Sequence, residues 1–161
     1  MTTLVPMRAE TFTAYVESSI VGYAEENVAS GRWPKESALA RSKTEFDSLL
    51  PQGLNTPNNH LYEIIDDPNG HTVGFIWFAI QESHGTRVAF VCDVVVKKEC
   101  RRQGHAKRAL VALESIASEL NLSAIDLHVF AHNSSAQALY AQSGYAATGI
   151  NMRKPIGAKS S

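Results

Sequence analysis

The residues between Val94 and Arg108 are the part of the sequence best equipped for chemistry. A β-branched run gives way there to Lys97-Lys-Glu-Cys-Arg-Arg-Gln-Gly-His-Ala-Lys-Arg. Lys97 to Arg108 holds six basic residues and one acid, a local charge of +5, so the other 149 residues carry −6 to reach the net −1. A strand that runs into a basic turn and then into a Gly and a small residue opening a helix leaves N–H groups unpaired at the positive end of the helix dipole. Such an end receives phosphate when nothing bulky blocks the backbone, and Gly104 and Ala106 keep the approach open. The same residues also suit a solvated basic loop before an ordinary helix.

Other reactive side chains lie close by. Asp93 sits within the apolar run, where a carboxylate is costly unless partnered. Strict alternation points it away from both Cys92 and Val94, which leaves bracing the sheet and accepting a proton both open. Cys92 has the chemistry to carry an acyl group, but buried thiols are usually inert and core packing is the preferred reading. His128 and His132 fall across a strand end with no second ligand cluster, so no metal is expected. Gly-x-x-x-x-Gly-Lys-Ser/Thr and Gly-x-Gly-x-x-Gly are absent, which removes the common ATP and NAD signals. Trp33 and Trp77 are candidates for a substrate pocket or for the core.

These residues need a scaffold, and the patterning supplies one. Residues 2 to 8 read as a first strand. Phe12, Val16, Ile20 and Tyr23 then recur on one helical face, with Gly31 placed to end the helix. Pro34 suits the start of a second helix running to about Leu50, with Leu39, Phe46 and Leu50 inward. His60 to Asp66 and Thr72 to Ile80 form a hairpin across Asp67-Pro-Asn-Gly. Glu82-Ser-His-Gly turns the chain into Val88 to Val96, a central strand. Ala106, Leu110, Leu113, Ala117 and Leu120 mark a third helix. Ile125, Leu127 and Val129 alternate as a fifth strand, Ser134 to Gln142 is a short helix stopped by Gly144, and Tyr145 to Lys154 supply a last strand. The tail from Gly157 to Ser161 is expected to fray. The order predicts an α/β fold, a mixed, mostly antiparallel sheet with helices, in a single domain over 1–161.

Composition sets the outer limits. With 161 residues, 44% hydrophobic and 19% charged, the chain is long enough for a sizeable core. No apolar run reaches the roughly 20 residues of a membrane span. No secretory signal is visible after Met1 and there are two cysteines, Cys92 and Cys100, so the expected setting is the cytoplasm.

Two motifs carry a resemblance. Arg101-Arg-Gln-Gly-His-Ala fits Arg/Gln-x-x-Gly-x-Gly/Ala, and His132-Asn-Ser-Ser-Ala-Gln-Ala-Leu-Tyr-Ala-Gln-Ser-Gly-Tyr fits Asn-x-x-Ala-x-x-x-Tyr-x-x-x-Gly-Tyr/Phe. Both are signatures of the GNAT acetyltransferase superfamily, which the chain resembles in element order throughout. Tyr23-Ala-Glu-Glu, Gly31-Arg-Trp and Leu50-Pro-Gln-Gly-Leu-Asn-Thr look like a bacterial branch of these enzymes.

The resemblance implies a central strand splayed from the next parallel strand, with Val94, Val95 and Val96 lining the pantetheine arm of acetyl-CoA. The Val94 N–H would face the thioester carbonyl. The amides of Arg102, Gln103, Gly104, His105, Ala106 and Lys107 would hold the pyrophosphate, with Arg101 and Arg108 near enough in sequence to add charge. Asn133 matches the residue that helps hold the cofactor arm. Tyr140 matches the acid that protonates the departing thiolate. Asp93 would take the proton from the amine, with Glu63 and His128 as alternatives.

The expected activity is transfer of an acetyl group from acetyl-CoA to a primary amine by direct attack in a ternary complex, without a metal. Glu10, Glu17, Glu25 and Glu26 make the first helix acidic, which favours a cationic small-molecule or peptide amine as acceptor. The expected partners exclude nucleic acid and membrane, and a homodimer is possible. The rival is a non-catalytic binding module that uses residues 97–108 to hold nucleic acid or another polyanion. A net charge of −1 and the lack of interleaved aromatics argue against it.

Overall fold

A computed structural model of the chain describes residues 2–67 and 69–157. Met1, Pro68 of the expected hairpin turn and the tail from Ala158 lie outside the described residues. The first strand, β1 (Thr2–Pro6), leads into α1 (Ala9–Ala29) and α2 (Lys35–Leu49). Three strands follow, β2 (Asn59–Asp66), β3 (His71–Ser83) and β4 (Thr86–Val96), and then α3 (His105–Glu119), β5 (Ile125–Leu127) and α4 (Ser134–Gln142). The sheet order is β1-β2-β3-β4-β5, antiparallel except for the parallel pair β4/β5.

Alternation along the strands divides the apolar side chains between two layers. Trp77, Leu61, Met7, Tyr15, Phe46 and Leu50 form the core under α1 and α2. Ile76, Phe78, Ala89, Val91, Leu110 and Leu113 form the core under α3. The apolar stripe expected on α1, Phe12, Val16, Ile20 and Tyr23, packs on the first of these. Ser42 Oγ donates to Ile20 O at 2.7 Å and ties α2 to α1.

Several expectations are corrected. Leu39 is 57% exposed, because the buried stripe of α2 is Ala38, Ser42 and Phe46 at i, i+4 spacing and Leu39 lies one residue, about 100°, off it. The first strand stops at Pro6, and β3 continues to Ser83, so the turn tightens to His84 and Gly85, both with positive φ. The fifth strand ends at Leu127 without Val129. Residues 145–154 have the alternation of a strand but join no ladder.

One irregularity places a functional group. Trp77 pairs with Asp93 and Phe78 with Val91, so Cys92 is an extra residue, a bulge in β4. Val91 faces the α3 layer, whereas Cys92 packs on the α1/α2 layer. Asp93 also meets α1, so it shares a side with Cys92 instead of opposing it, and the two-residue period resumes with Val94 on the α3 side.

Candidate active site

β4 and β5 are paired only from Ala89↔Ile125 to Val91↔Leu127, and beyond Val91 the two strands part. The Lys97 N–H donates to Val73 O at 2.8 Å, which makes Val73 and Lys97 a hydrogen-bonded pair of the β3/β4 ladder. Hydrogen-bonded and non-bonded pairs alternate along an antiparallel ladder, so Val94 and Val96 turn their main-chain groups away from β3 and into the parting. Val95, between them, packs its side chain on the α1/α2 core. The Val96 carbonyl accepts from Arg101 Nε at 3.0 Å, so Arg101 bridges the mouth of the parting back to β4.

The basic turn closes onto α3 through two left-handed residues, Arg102 at φ 64° and Gly104 at φ 82°. Gly104 is the N-cap residue of α3 and no side chain caps that helix start. The φ of Gly104 requires glycine, and a Cβ there would also press on the Arg108 guanidinium, 2.7 Å from Nη1. Arg108 is committed to the scaffold: Nη2 donates to Gln103 O at 2.8 Å and Nε to Thr2 Oγ1 at 2.9 Å. Arg102, Gln103 and Lys107 are exposed on the turn, and Ala106 is half-buried. The His105 side chain is buried with Nδ1 3.3 Å from Thr2 Oγ1, so it is the amide of His105 and not its ring that lies at the helix start. The fit to a diphosphate is therefore one of backbone amides in an uncapped first turn, flanked by exposed cations.

Titratable groups flank the parting, with Asp93 on the α1 side. Tyr15 Oη donates to Asp93 Oδ2 at 2.7 Å. Burial pushes the Asp93 carboxyl above its ordinary value, and the Glu26 charge adds to the rise; the Tyr15 and Ser19 hydroxyls and the Val94 amide act in the opposite direction. Tyr15 is raised well above the usual phenol, by burial first and then by Asp93. Tyr140, half-buried on α4 and packed on the α3-side core, is raised by burial and then by the charges of Asp93 and Glu26. Its ring stands edge-on to Tyr145, with centroids 5.8 Å apart. His132 Nε2 lies 3.8 Å from Glu26 Oε2.

The remaining candidates fall elsewhere. Glu63 is fully buried: Arg8 donates to it from the main chain and Nε at 3.0 Å, and Thr72 from its hydroxyl at 2.8 Å. Burial opposes ionisation, but these donors prevail and hold the carboxyl down at about 2, so it cannot take a proton near neutrality. His128 is exposed, edge-on to Phe130. Cys92 is pushed up to about 12 by burial and by Asp93, which leaves it a thiol. Trp77 is core, with Nε1 donating to Asn59 Oδ1 at 2.8 Å. Trp33 is half-buried and edge-on to Tyr23. Asn133 caps α4, Oδ1 accepting from the Ala136 amide at 3.1 Å. Among the described residues no group of three or more His, Cys, Asp or Glu could hold a metal.

Tyr15 and Ser19 were not singled out by the sequence reading, and Glu26 entered it only as one of several acids. Their signal was present: positions 15, 19 and 26 share one side of α1, a polar stripe beside the apolar one.

The parted parallel strands and the uncapped helix start are the arrangement that the resemblance in the sequence implies. The chain matches the sequence model of the acetyltransferase (GNAT) family over residues 26–145, and it belongs to that family. Two Bacillus subtilis proteins named as uncharacterized N-acetyltransferases are similar: YycN, 38% identical over 95% of this chain and 97% of its own, and YdgE, 34% identical over 96% and 98%. The crystal structure of YycN superposes with a TM-score of 0.91, covering 97% of this chain and 99% of that one at 37% identity.

Proposed function

We propose that the protein acetylates a primary amine with acetyl-CoA by direct transfer in a ternary complex. The observation that carries this reading is the parting of β4 and β5, into which Val94 and Val96 turn their main-chain groups next to the Asp93 carboxyl held by Tyr15. Acetyl-CoA supplies an activated acyl carbonyl. Val94, Val95 and Val96 line its arm, and Asn133 stands at the start of α4 beside it. The amides from Arg102 to Lys107 receive the diphosphate, with Arg101, Arg102 and Lys107 adding charge.

Asp93 accepts the amine proton. Its raised pKa brings it nearer to the working pH than an ordinary aspartate, which suits a general base. The Val94 N–H, which acts on the Asp93 carboxyl in the free protein, donates to the acyl oxygen where negative charge develops. Tyr140 holds its proton at neutral pH, as a raised phenol must, and delivers it to the leaving sulfur. The inert Cys92 thiol supports direct transfer over an acyl-enzyme.

For the acceptor, the reading narrows to a cationic amine, either a small molecule or a peptide amino group. Glu10, Glu17 and Glu25 are exposed on α1, while Glu26 is the half-buried one whose charge reaches Asp93 and Tyr140. Among the described residues no helix is long and apolar enough to cross a membrane, which is consistent with a cytoplasmic setting.

The test is thermal unfolding with acetyl-CoA, CoA, ATP and a short DNA duplex, followed by thiol release with a panel of amines. A ligand at about 100 times its Kd adds roughly 2.7 kcal/mol, a rise in Tm of several degrees for a domain of this size. The reading expects a rise with the CoA compounds alone and release that depends on a cationic amine. A rise with DNA and none with CoA would overturn it.

A further inference from the structure

Arg108 is an exposed residue of α3 beside the basic turn, yet its guanidinium is engaged within the chain. Nη2 donates to Gln103 O at 2.8 Å and lies 3.4 Å from His105 Nδ1, while Nε donates to Thr2 Oγ1 at 2.9 Å, across 106 residues of sequence. The directions of these bonds follow from the groups present. A guanidinium has donors and no acceptor, so His105 Nδ1 accepts from it. The Thr2 oxygen accepts from Nε, which leaves the hydroxyl proton to be donated to the same ring nitrogen at 3.3 Å. This bonding assigns the ring proton to Nε2, which is buried and has no hydrogen-bond partner among the described residues. His105 is 3% exposed and Thr2 7%, so the guanidinium is moored to buried groups of α3 and β1.

What Arg108 grips is one end of a peptide plane. In a trans peptide the carbonyl and the following N–H point in opposite directions. With Gln103 O held by Arg108, the Gly104 N–H faces the other way. Gly104 O accepts from the Arg108 amide at 3.1 Å, so the His105 N–H in turn faces out of the helix start. These are two of the amides that receive the diphosphate in the proposed reaction. The Gln103–Gly104 plane needs holding, because it ends on a left-handed glycine, the residue that least restrains the rotation of its flanking peptides. A half-turn of that plane would bring the Gln103 carbonyl to the side where the Gly104 N–H stands and set its oxygen against the phosphate oxygens.

We propose that Arg108, anchored on Thr2, is a positioning residue for the diphosphate of acetyl-CoA: it locks the Gln103–Gly104 peptide with its N–H toward the cofactor and keeps the Gln103 carbonyl out of the cradle. This role rests on the diphosphate reading of the cradle, and in it Arg108 acts through a peptide and not as a counter-charge. It also ties cofactor binding to β1, because Thr2 fixes the guanidinium from a strand far away in sequence. A lysine would keep the charge, but a single ammonium does not reproduce a planar fork with Nη2 on Gln103 and Nε on Thr2.

The test compares two acetyl donors on the full chain, acetyl-CoA and S-acetylpantetheine, which has the same thioester and arm but no diphosphate. Arg108→Met is expected to raise the calorimetric Kd for acetyl-CoA by about tenfold or more, the order of one lost hydrogen bond to a charged group. The kcat/KM for acetyl-CoA is expected to fall in step, while that for S-acetylpantetheine, and kcat at saturating acetyl-CoA, stay as in the unmodified protein. Arg108→Lys is expected to lose as much affinity as Arg108→Met. Thr2→Val, which keeps the side-chain shape, is expected to weaken acetyl-CoA in the same direction, and it decides the matter if Arg108→Met does not fold. Equal losses with both donors would overturn the proposal, as would unaltered acetyl-CoA affinity in Arg108→Met or Thr2→Val, or full affinity in Arg108→Lys. Failure of the unmodified protein to bind acetyl-CoA is a distinct result, which overturns the acetyl-CoA reading itself and the positioning role with it.

Discussion

The Tyr15 hydroxyl is 2.7 Å from Asp93 Oδ2, a hydrogen bond across 78 residues of sequence that fixes a strand carboxyl facing α1 at the parting of β4 and β5. It joins the acceptor-side helix to the strand that holds the acyl group in the proposed reaction. The donor stabilises the ionised carboxylate, so its loss has a definite sign. Tyr15→Phe removes an influence that lowers the Asp93 pKa and leaves the desolvation that raises it. A base must be ionised to work, so activity rises with pH through that pKa. The acidic limb of the kcat/KM profile is expected to move to higher pH in Tyr15→Phe, with little change at the alkaline plateau.

Tyr140→Phe keeps the ring and its contact with Tyr145 but removes the proton. The expected loss in kcat is about a hundredfold or more, the scale of a positioned acid. Acetyl-CoA affinity, read by calorimetry, is expected to change by less than about threefold. An unchanged kcat would remove Tyr140 from the chemistry.

Glu26→Gln removes a charge that reaches Asp93 and Tyr140 without touching the backbone cradle. The KM for a diamine is expected to rise by about tenfold, the order of a single partly buried ion pair, while that for a neutral amine stays constant. A uniform change across both acceptors would count against electrostatic selection.

Glu63 governs stability and not turnover. Its carboxyl is held at about 2 in the fold against an ordinary 4.5, so the folded state binds this proton less readily than the unfolded chain. The sign follows from linkage: the contribution is complete above about pH 4.5 and is lost as the pH falls through the folded value near 2. Glu63→Gln is expected to cost about 2–3 kcal/mol at pH 7 by urea unfolding. The two proteins are expected to converge in stability as the solution is acidified.

Gly74→Ala links packing to the cofactor. A Cβ there would collide with the Val95 carbonyl and crowd Val96 Cα at 3.0 Å, and backbone cannot step aside as a flexible side chain can. The expected effects are destabilisation of about 1–3 kcal/mol and a smaller rise in Tm with acetyl-CoA than in the unchanged protein. Cys92→Ala, one strand away, is expected to retain turnover.

Strong periodicity made much of this fold legible. The stripe at Phe12, Val16, Ile20 and Tyr23, the run from Val88 to Val96 and the short helix from Ser134 to Gln142 appear where their patterns place them. Elements failed where a pattern depends on a partner. Tyr145 to Lys154 alternates like a strand, but a strand exists only with an edge to pair with, and no local pattern reports that edge. The orientation of Asp93 failed because one extra residue, Cys92, breaks the two-residue period, and nothing in Phe-Val-Cys-Asp-Val announces it. Within the site, the turn from Arg101 to Lys107 and the position of Tyr140 were readable from local motifs. The Tyr15–Asp93 pair was not, because it is a contact between distant segments.

The extra residue in β4 also decides which side of the sheet Asp93 and Val94 face. Asp93 sends its side chain toward α1, and the very next main-chain amide, that of Val94, turns away from β3 toward the parting of β4 and β5. In the proposed reaction, proton removal and carbonyl polarisation are thus anchored on either side of a single rigid peptide unit, with neighbouring Cα atoms about 3.8 Å apart. No hinge or loop lies between them. Breathing of the sheet that displaces the Asp93 Cα carries the Val94 amide with it, while the Tyr15 hydroxyl on α1 sets where the carboxyl at the end of the Asp93 side chain rests.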